Sequence, residues 1–203
     1  LFLGAGSVMH ALSGETRLAK MGGLKKHLPV THMTFLIAGL AIAGVPPLAG
    51  FFSKDEILWK TFSSPYGSTI FYSIALATAG LTAFYMFRMI YLTFYGGSRV
   101  DPTVMNHVHE SPKVMTIPLA ALAVLSIVGG WIGIPHIFHI PNLIDEFLHP
   151  VFASKGVVAA PQATTTDYSV EGILMGISVI VALAGIALAA RIYLHNPKIA
   201  GTL

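Results

Sequence analysis

The feature that most constrains this chain is the stretch from Thr31 to Phe62, THMTFLIAGLAIAGVPPLAGFFSKDEILWKTF. It opens as an apolar run long enough to enter a bilayer. Pro46-Pro47 interrupt it, and it resumes as FFSKDEIL, which brings Lys54, Asp55 and Glu56 close to hydrocarbon. Neither proline can donate a backbone hydrogen bond, and each clashes with the turn before it. Gly44 and Gly50 flank the pair and let the chain bend. The spacing predicts a helix from about residue 30 to residue 61, unwound over Gly44 to Gly50; a plain proline kink is the alternative. Carbonyls freed by such a break need partners in protein or in a water-filled cavity. A broken membrane helix followed by a lysine and two carboxylates is costly, and such features mark ion pathways.

Composition sets the class. Of 203 residues, 54% are hydrophobic and 10% are charged, and the mean hydropathy is +0.72. A soluble domain carries about 25% charged residues. The fold class read from this is all-α: a polytopic transmembrane helical bundle with one discontinuous, proline-broken helix, forming a single membrane domain over residues 1–203. The formal charge of +3 does not point to nucleic acid, because the basic residues lie in loops between apolar runs. Cysteine is absent, which removes disulfides, thiolate metal sites and a cysteine nucleophile.

The remaining segments follow in order. LFLGAGSVMHAL is apolar but shorter than a membrane span, and it lacks the basic start of a signal peptide. It reads as the truncated second half of a helix over residues 1–12, and the chain reads as an internal piece of a longer protein. Further helices are expected over about 69–95, 114–134 and 171–193, with an external loop over 135–170. Arg88 sits among Tyr85, Phe87, Tyr91 and Phe94 near a helix end, the pattern of an interface anchor. Gly129-Gly130 and Gly133 mark one close helix contact, and Gly172, Gly176 and Gly185 another. The loop Ser13–Pro29 carries Arg17, Lys20, Lys25 and Lys26 against Glu15 alone. Successive loops are basic, balanced, mildly basic, acidic and basic. That alternation fits five crossings with the first loop on the cytoplasmic side.

Lys54 is the sharpest chemical candidate, and two readings of it stand open. About 22 residues from Val30 to Phe51 already span a ~30 Å core if the helix is unbroken, which leaves Lys54 snorkelling at the far interface. If the helix unwinds, Lys54 faces an internal cavity, where Asp55 or Glu56 can hold its charge and a proton can come and go. His10, on an otherwise apolar run, is either a proton relay or an interhelical hydrogen-bond partner. His32 is placed at the interface. His107 and His109 precede Glu110, but in an extended loop the i, i+2 spacing turns the rings apart. No cluster has zinc or iron spacing, so no metal is expected, and no phosphate loop or dinucleotide fingerprint is present.

The segments LFLGAGSVMHAL, KMGGLKKHLPVTHMTFLIAGLAIAGVPPLAGFFSKDEIL, YMFRMIYLTFYG and HESPKVMTIPLAALAVLS together resemble the antiporter-like subunit L family of proton-pumping NADH:quinone oxidoreductase, respiratory complex I. FFSKDEIL is the specific part. The resemblance implies that Lys54 belongs to a discontinuous helix and to a proton half-channel coupled to quinone reduction elsewhere, with Asp55 beside it. The proton-path candidates are thus Lys54, Asp55, Glu56 and His10, and the helix-break residues are Gly44, Pro46, Pro47 and Gly50. It also implies other membrane-arm subunits as partners, chiefly a neighbouring antiporter-like subunit, in a cell inner (plasma) membrane. Flavin, iron–sulfur centres and quinone are expected in other subunits, with no cofactor in this chain. Two alternatives are the large subunit of a multisubunit sodium/proton antiporter and a non-conducting scaffold subunit.

The charge alternation generates a direct test. Cysteines introduced at Lys25 and Thr165 of the full-length protein should react with an impermeant thiol reagent from opposite sides of the membrane. Labelling of both from the same side would refute this topology.

Overall fold

Backbone polar groups inside a bilayer have to be satisfied within the chain, and helices do this segment by segment. The computed structural model describes residues 1–64, 66–134, 142–153 and 168–195. Its helices are α1 (Phe2–Ala11), α2 (Pro29–Ala43), α3 (Ala49–Ser63), α4 (Thr69–Phe94), α5 (Pro102–Met105), α6 (Lys113–Val128), α7 (Leu143–Ala153) and α8 (Tyr168–Tyr193). A 3-10 turn over Gly129–Gly133 extends α6, and no strand occurs among the described residues. Thr69–Phe94, Lys113–Gly133 and Ser169–Tyr193 are each long and apolar enough to cross a membrane.

Neither α2 nor α3, at 15 residues each, crosses alone, since 15 residues rise only about 22 Å. In series they match α4. At one end His32 in α2 meets Tyr95 just beyond α4, Nε2 to hydroxyl at 3.2 Å. At the other, Phe62 in α3 packs its ring on Tyr72 of α4, centroids 5.7 Å apart. The broken pair therefore covers the same depth as the continuous 26-residue α4.

The loops expected on one side come together at one end. Arg99 donates from Nε to the Ala19 carbonyl at 3.0 Å and from Nη2 to the Leu92 carbonyl at 2.8 Å. The Lys25 ammonium lies 4.9 Å from the Tyr95 ring centre. Glu110 crosses to the start of α2, where its Oε2 accepts from the Val30 N–H at 2.7 Å and its Oε1 from the Thr31 hydroxyl at 2.6 Å. Pro29 occupies the first turn of α2, and a carboxylate suits the positive end of that helix. Beneath it the hydroxyls of Ser7, Thr31 and Ser111 form a buried chain, 2.8 and 2.6 Å apart. The apolar core around them includes Val8, Leu24, Leu28, Phe35, Phe87, Ile90 and Phe94.

α7 is a helix that the loop reading of 135–170 does not contain. Leu143, Ile144, Phe147, Leu148 and Val151 recur at helical spacing, a period masked in the sequence by Pro150 and the polar residues between them. Residues 135–141 and 154–167 of that expected loop, and Lys198, lie outside the described residues. Gly130 meets α3, where an added Cβ would lie 2.5 Å from the Ala49 Cα and 2.6 Å from Phe52. Arg88 donates from Nε to the Tyr193 hydroxyl at 3.0 Å.

α4 and α8 run parallel, because their contacts advance together: Gly80 with Val181, Ala83 with Gly185, Arg88 with Tyr193. A Cβ added at Gly185 would lie 2.6 Å from the Gly80 carbonyl oxygen, backbone that cannot move aside, whereas one at Gly176 would meet nothing within 4 Å. Gly185→Val should therefore destabilise the full-length protein by about 1–3 kcal/mol, seen as a lower heat-inactivation midpoint in detergent. Gly176→Ala should leave the midpoint unchanged. Equal midpoints for the two variants would refute this packing.

Candidate functional site at the helix break

The end of α2 is built by its sequence. Gly44 adopts φ +79, in the left-handed region, which costs glycine little and other residues more. Its N–H donates to the Ala41 carbonyl at 3.0 Å, and the Val45 N–H reaches the Leu40 carbonyl at 3.1 Å. This pair of bonds is a Schellman ending, which satisfies two of the last carbonyls of the helix. Pro46 and Pro47 then carry the chain across without N–H groups, and the peptide between them is cis. The Leu48 N–H closes on the Val45 carbonyl at 3.1 Å, and Trp131 of the 3-10 turn donates from Nε1 to the Pro47 carbonyl at 3.3 Å. Gly50 lets α3 start directly against α2, since a Cβ there would run into the Ala41 carbonyl oxygen.

One carbonyl of the α2 end is satisfied by the lysine. Lys54 Nζ donates to the Ala43 carbonyl at 2.8 Å. The ammonium thus sits at the negative pole of α2, where a cation is favoured. Its stem lies over Gly44: a Cβ there would come within 2.8 Å of Lys54 Cδ and 3.1 Å of Nζ. The side chain turns back over the break instead of running on along α3, and no carboxylate pairs with it among the described residues.

Asp55 turns elsewhere. Adjacent helical residues do not share a face, and no ion pair joins Lys54 to Asp55 among the described residues. Asp55 is 6% exposed, and its Oδ1 accepts a short hydrogen bond from the Ser178 hydroxyl of α8. Its Oδ2 is buried with no partner among the described groups, as is the hydroxyl of Tyr72 on α4. A buried carboxylate in a membrane span costs several kcal/mol by order of magnitude. Next to it lies a cavity of about 10 Å3 lined by Asp55, Glu56, Trp59, Glu171 and Met175, among others. That is the room one water needs.

The other candidates are distributed as follows. Glu56 lines the cavity and also pairs with Lys60 one turn on, Oε1 to Nζ at 3.5 Å. His10 is exposed on α1, and no described hydrogen bond or ion pair joins it to Lys54 or Asp55. His32 is buried, edge-on to Phe94 with ring centres 5.1 Å apart. Among the described residues no group of three or more His, Cys, Asp or Glu could hold a metal. Sequence reasoning missed Ser178 and Glu171, both buried at 3% and 5% exposure. The available signal was their spacing of seven, which puts two polar groups on one face of an otherwise apolar helix.

Residues 1–82 match a family model described as NADH:quinone oxidoreductase/Mrp antiporter, TM. The chain is 40% identical over 226 residues to NAD(P)H-quinone oxidoreductase chain 5 of Picosynechococcus sp., covering 97% of this chain and 32% of that protein. It is 38% identical over 195 residues to NADH-quinone oxidoreductase subunit L of Mycobacterium tuberculosis, covering 95% and 30%. Against subunit L of Rickettsia bellii the identity is 48% over 133 residues, covering 66% and 20%. The chain spans about a third of the length of the first curated relatives it matches. The alignments with chain 5 and the mycobacterial subunit L extend over nearly all of its helices, and the family model covers the broken pair α2–α3 in full. The chain belongs to the antiporter-like membrane subunit family of NADH:quinone oxidoreductases, on the side of subunit L and chain 5.

Proposed function

We propose that this chain carries part of a proton half-channel in the membrane arm of a proton-translocating NADH:quinone oxidoreductase. The observation that carries the reading is the lysine at the break, with Nζ held 2.8 Å from the last free carbonyl of α2 and a buried carboxylate next in sequence. A charge held by a helix end and by little else responds to its surroundings. When Asp55 is ionised and no other cation is near, Lys54 keeps its proton. When Asp55 takes up a proton, or a positive charge approaches, the ammonium loses support and the proton can leave. Quinone reduction elsewhere in the complex would supply that change in field along the membrane arm.

The redox groups, flavin, iron–sulfur centres and quinone, are assigned to other subunits, and the partner in contact is taken to be a neighbouring antiporter-like subunit. Exposed apolar residues such as Ile70, Phe71, Ile74, Leu81, Ile180 and Leu188 suit lipid or such a neighbour. The bacterial relatives favour the plasma membrane as the site. Their names as oxidoreductase subunits also favour this reading over a sodium/proton antiporter, although the family model includes both.

Lys54→Ala in the complete complex should lower proton pumping and the coupled NADH:quinone turnover by roughly a hundredfold, the low end of what a lost proton-transfer group costs, with assembly intact. Lys54→Arg should restore only part, because arginine does not give up its proton. An assembled Lys54→Ala complex with unchanged rate and proton-to-electron ratio would refute the relay role.

A further inference from the structure

On the proton-path reading above, Asp55 has no evident outlet. Its Oδ1 is taken by Ser178, and the loops that Arg99 and Glu110 tie together lie at the opposite end of the bundle from the start of α8. The cavity beside it has a second buried carboxylate in its wall. Glu171 lies in the first turn of α8, within the membrane span Ser169–Tyr193, and is 5% exposed. A carboxylate on an apolar span is normally excluded, and where present it marks a pathway. Ser178 follows seven residues later, two turns on the same face, about 10 Å along the axis. That face thus presents Ser178 to Asp55 and, two turns toward the far end, Glu171 to the cavity. Asp55 meets the cavity as a carboxylate nine-tenths buried whose Oδ2 has no partner among the described groups. Glu56, on the same wall, reaches the more open side, where it pairs with exposed Lys60.

We propose that Glu171 accepts the proton from Asp55 through a single water held in this cavity, and so extends the path along α8 toward the end of the bundle at which α8 starts. In this step the protonated Asp55 carboxyl gives its proton to the water, and the water gives another to the Glu171 carboxylate. Asp55 is left ionised, Glu171 protonated, and the water unchanged. Ser178 is a positioning residue: by holding Oδ1 it fixes which oxygen is free. The negative charge of Glu171 before transfer is supported by the positive end of α8.

The test uses the complete complex in its native membrane, reading NADH:quinone turnover and proton pumping together. Glu171→Gln keeps size and polarity but cannot carry the proton; pumping should fall roughly a hundredfold, and Glu171→Asp should restore most of it. A purely structural glutamate would tolerate glutamine as well as aspartate. Met175→Phe, which fills the cavity and leaves both carboxylates, should lower pumping as well. If Glu171→Gln does not assemble, the Met175→Phe result decides alone. Wild-type pumping in assembled Glu171→Gln or in Met175→Phe, beside a loss in Lys54→Ala, overturns this inference and leaves the half-channel reading standing. Wild-type pumping in all three variants overturns both.

Discussion

The structure depends on how the carbonyls at the end of α2 are satisfied. A helix that stops in mid-membrane leaves its last carbonyls without N–H partners, and hydrocarbon supplies none. Here three of them, and one carbonyl beyond the break, have identified partners. The Gly44 and Val45 amides fold back on Ala41 and Leu40, the Trp131 indole reaches Pro47, and the Lys54 ammonium reaches Ala43. Only the last partner can change its charge. The same bond that completes the backbone thus places a titratable group at the break between α2 and α3. Structure and proposed function meet in that one hydrogen bond.

Around that bond the bundle divides labour between its two ends. The loop end is stitched by Arg99, Glu110 and the hydroxyl chain of Ser7, Thr31 and Ser111. The opposite end holds the acidic cavity, with Asp55, Glu56 and Glu171 drawn from two helices more than a hundred residues apart in sequence. The close parallel packing of α4 on α8 keeps that wall in register, because Gly80 and Gly185 bring the two backbones together with no side chain to slide on.

Much of this was legible in the sequence, and the limits have physical causes. The break could be read because proline and glycine act locally, through a missing N–H and a permitted positive φ. The shared side of the two loops could be read because lysine and arginine are sorted by the membrane, not by packing. The target of Lys54 could not, since a proline break and an unbroken helix place it in opposite directions and only the return of α3 on α2 decides. Ser178 and Glu171 were hidden for another reason. In a chain this apolar, attention falls on glycine stripes, and the face that Asp55 needs is defined only once α8 lies against α3. α7 was passed over because its helical period is short and sits among residues typical of loops.

Gly44 carries a consequence of its own. It has no chemistry, yet its α-carbon is where the lysine stem lies down, and its left-handed backbone is what ends α2 at the carbonyl the lysine binds. Any side chain at that position would have to evict Lys54 from its seat while also straining the turn. A substitution at the glycine would thus act on the lysine without touching it in sequence. The glycine therefore answers to two separate demands, room for the lysine stem and a left-handed backbone, and shortening the lysine would lift only the first.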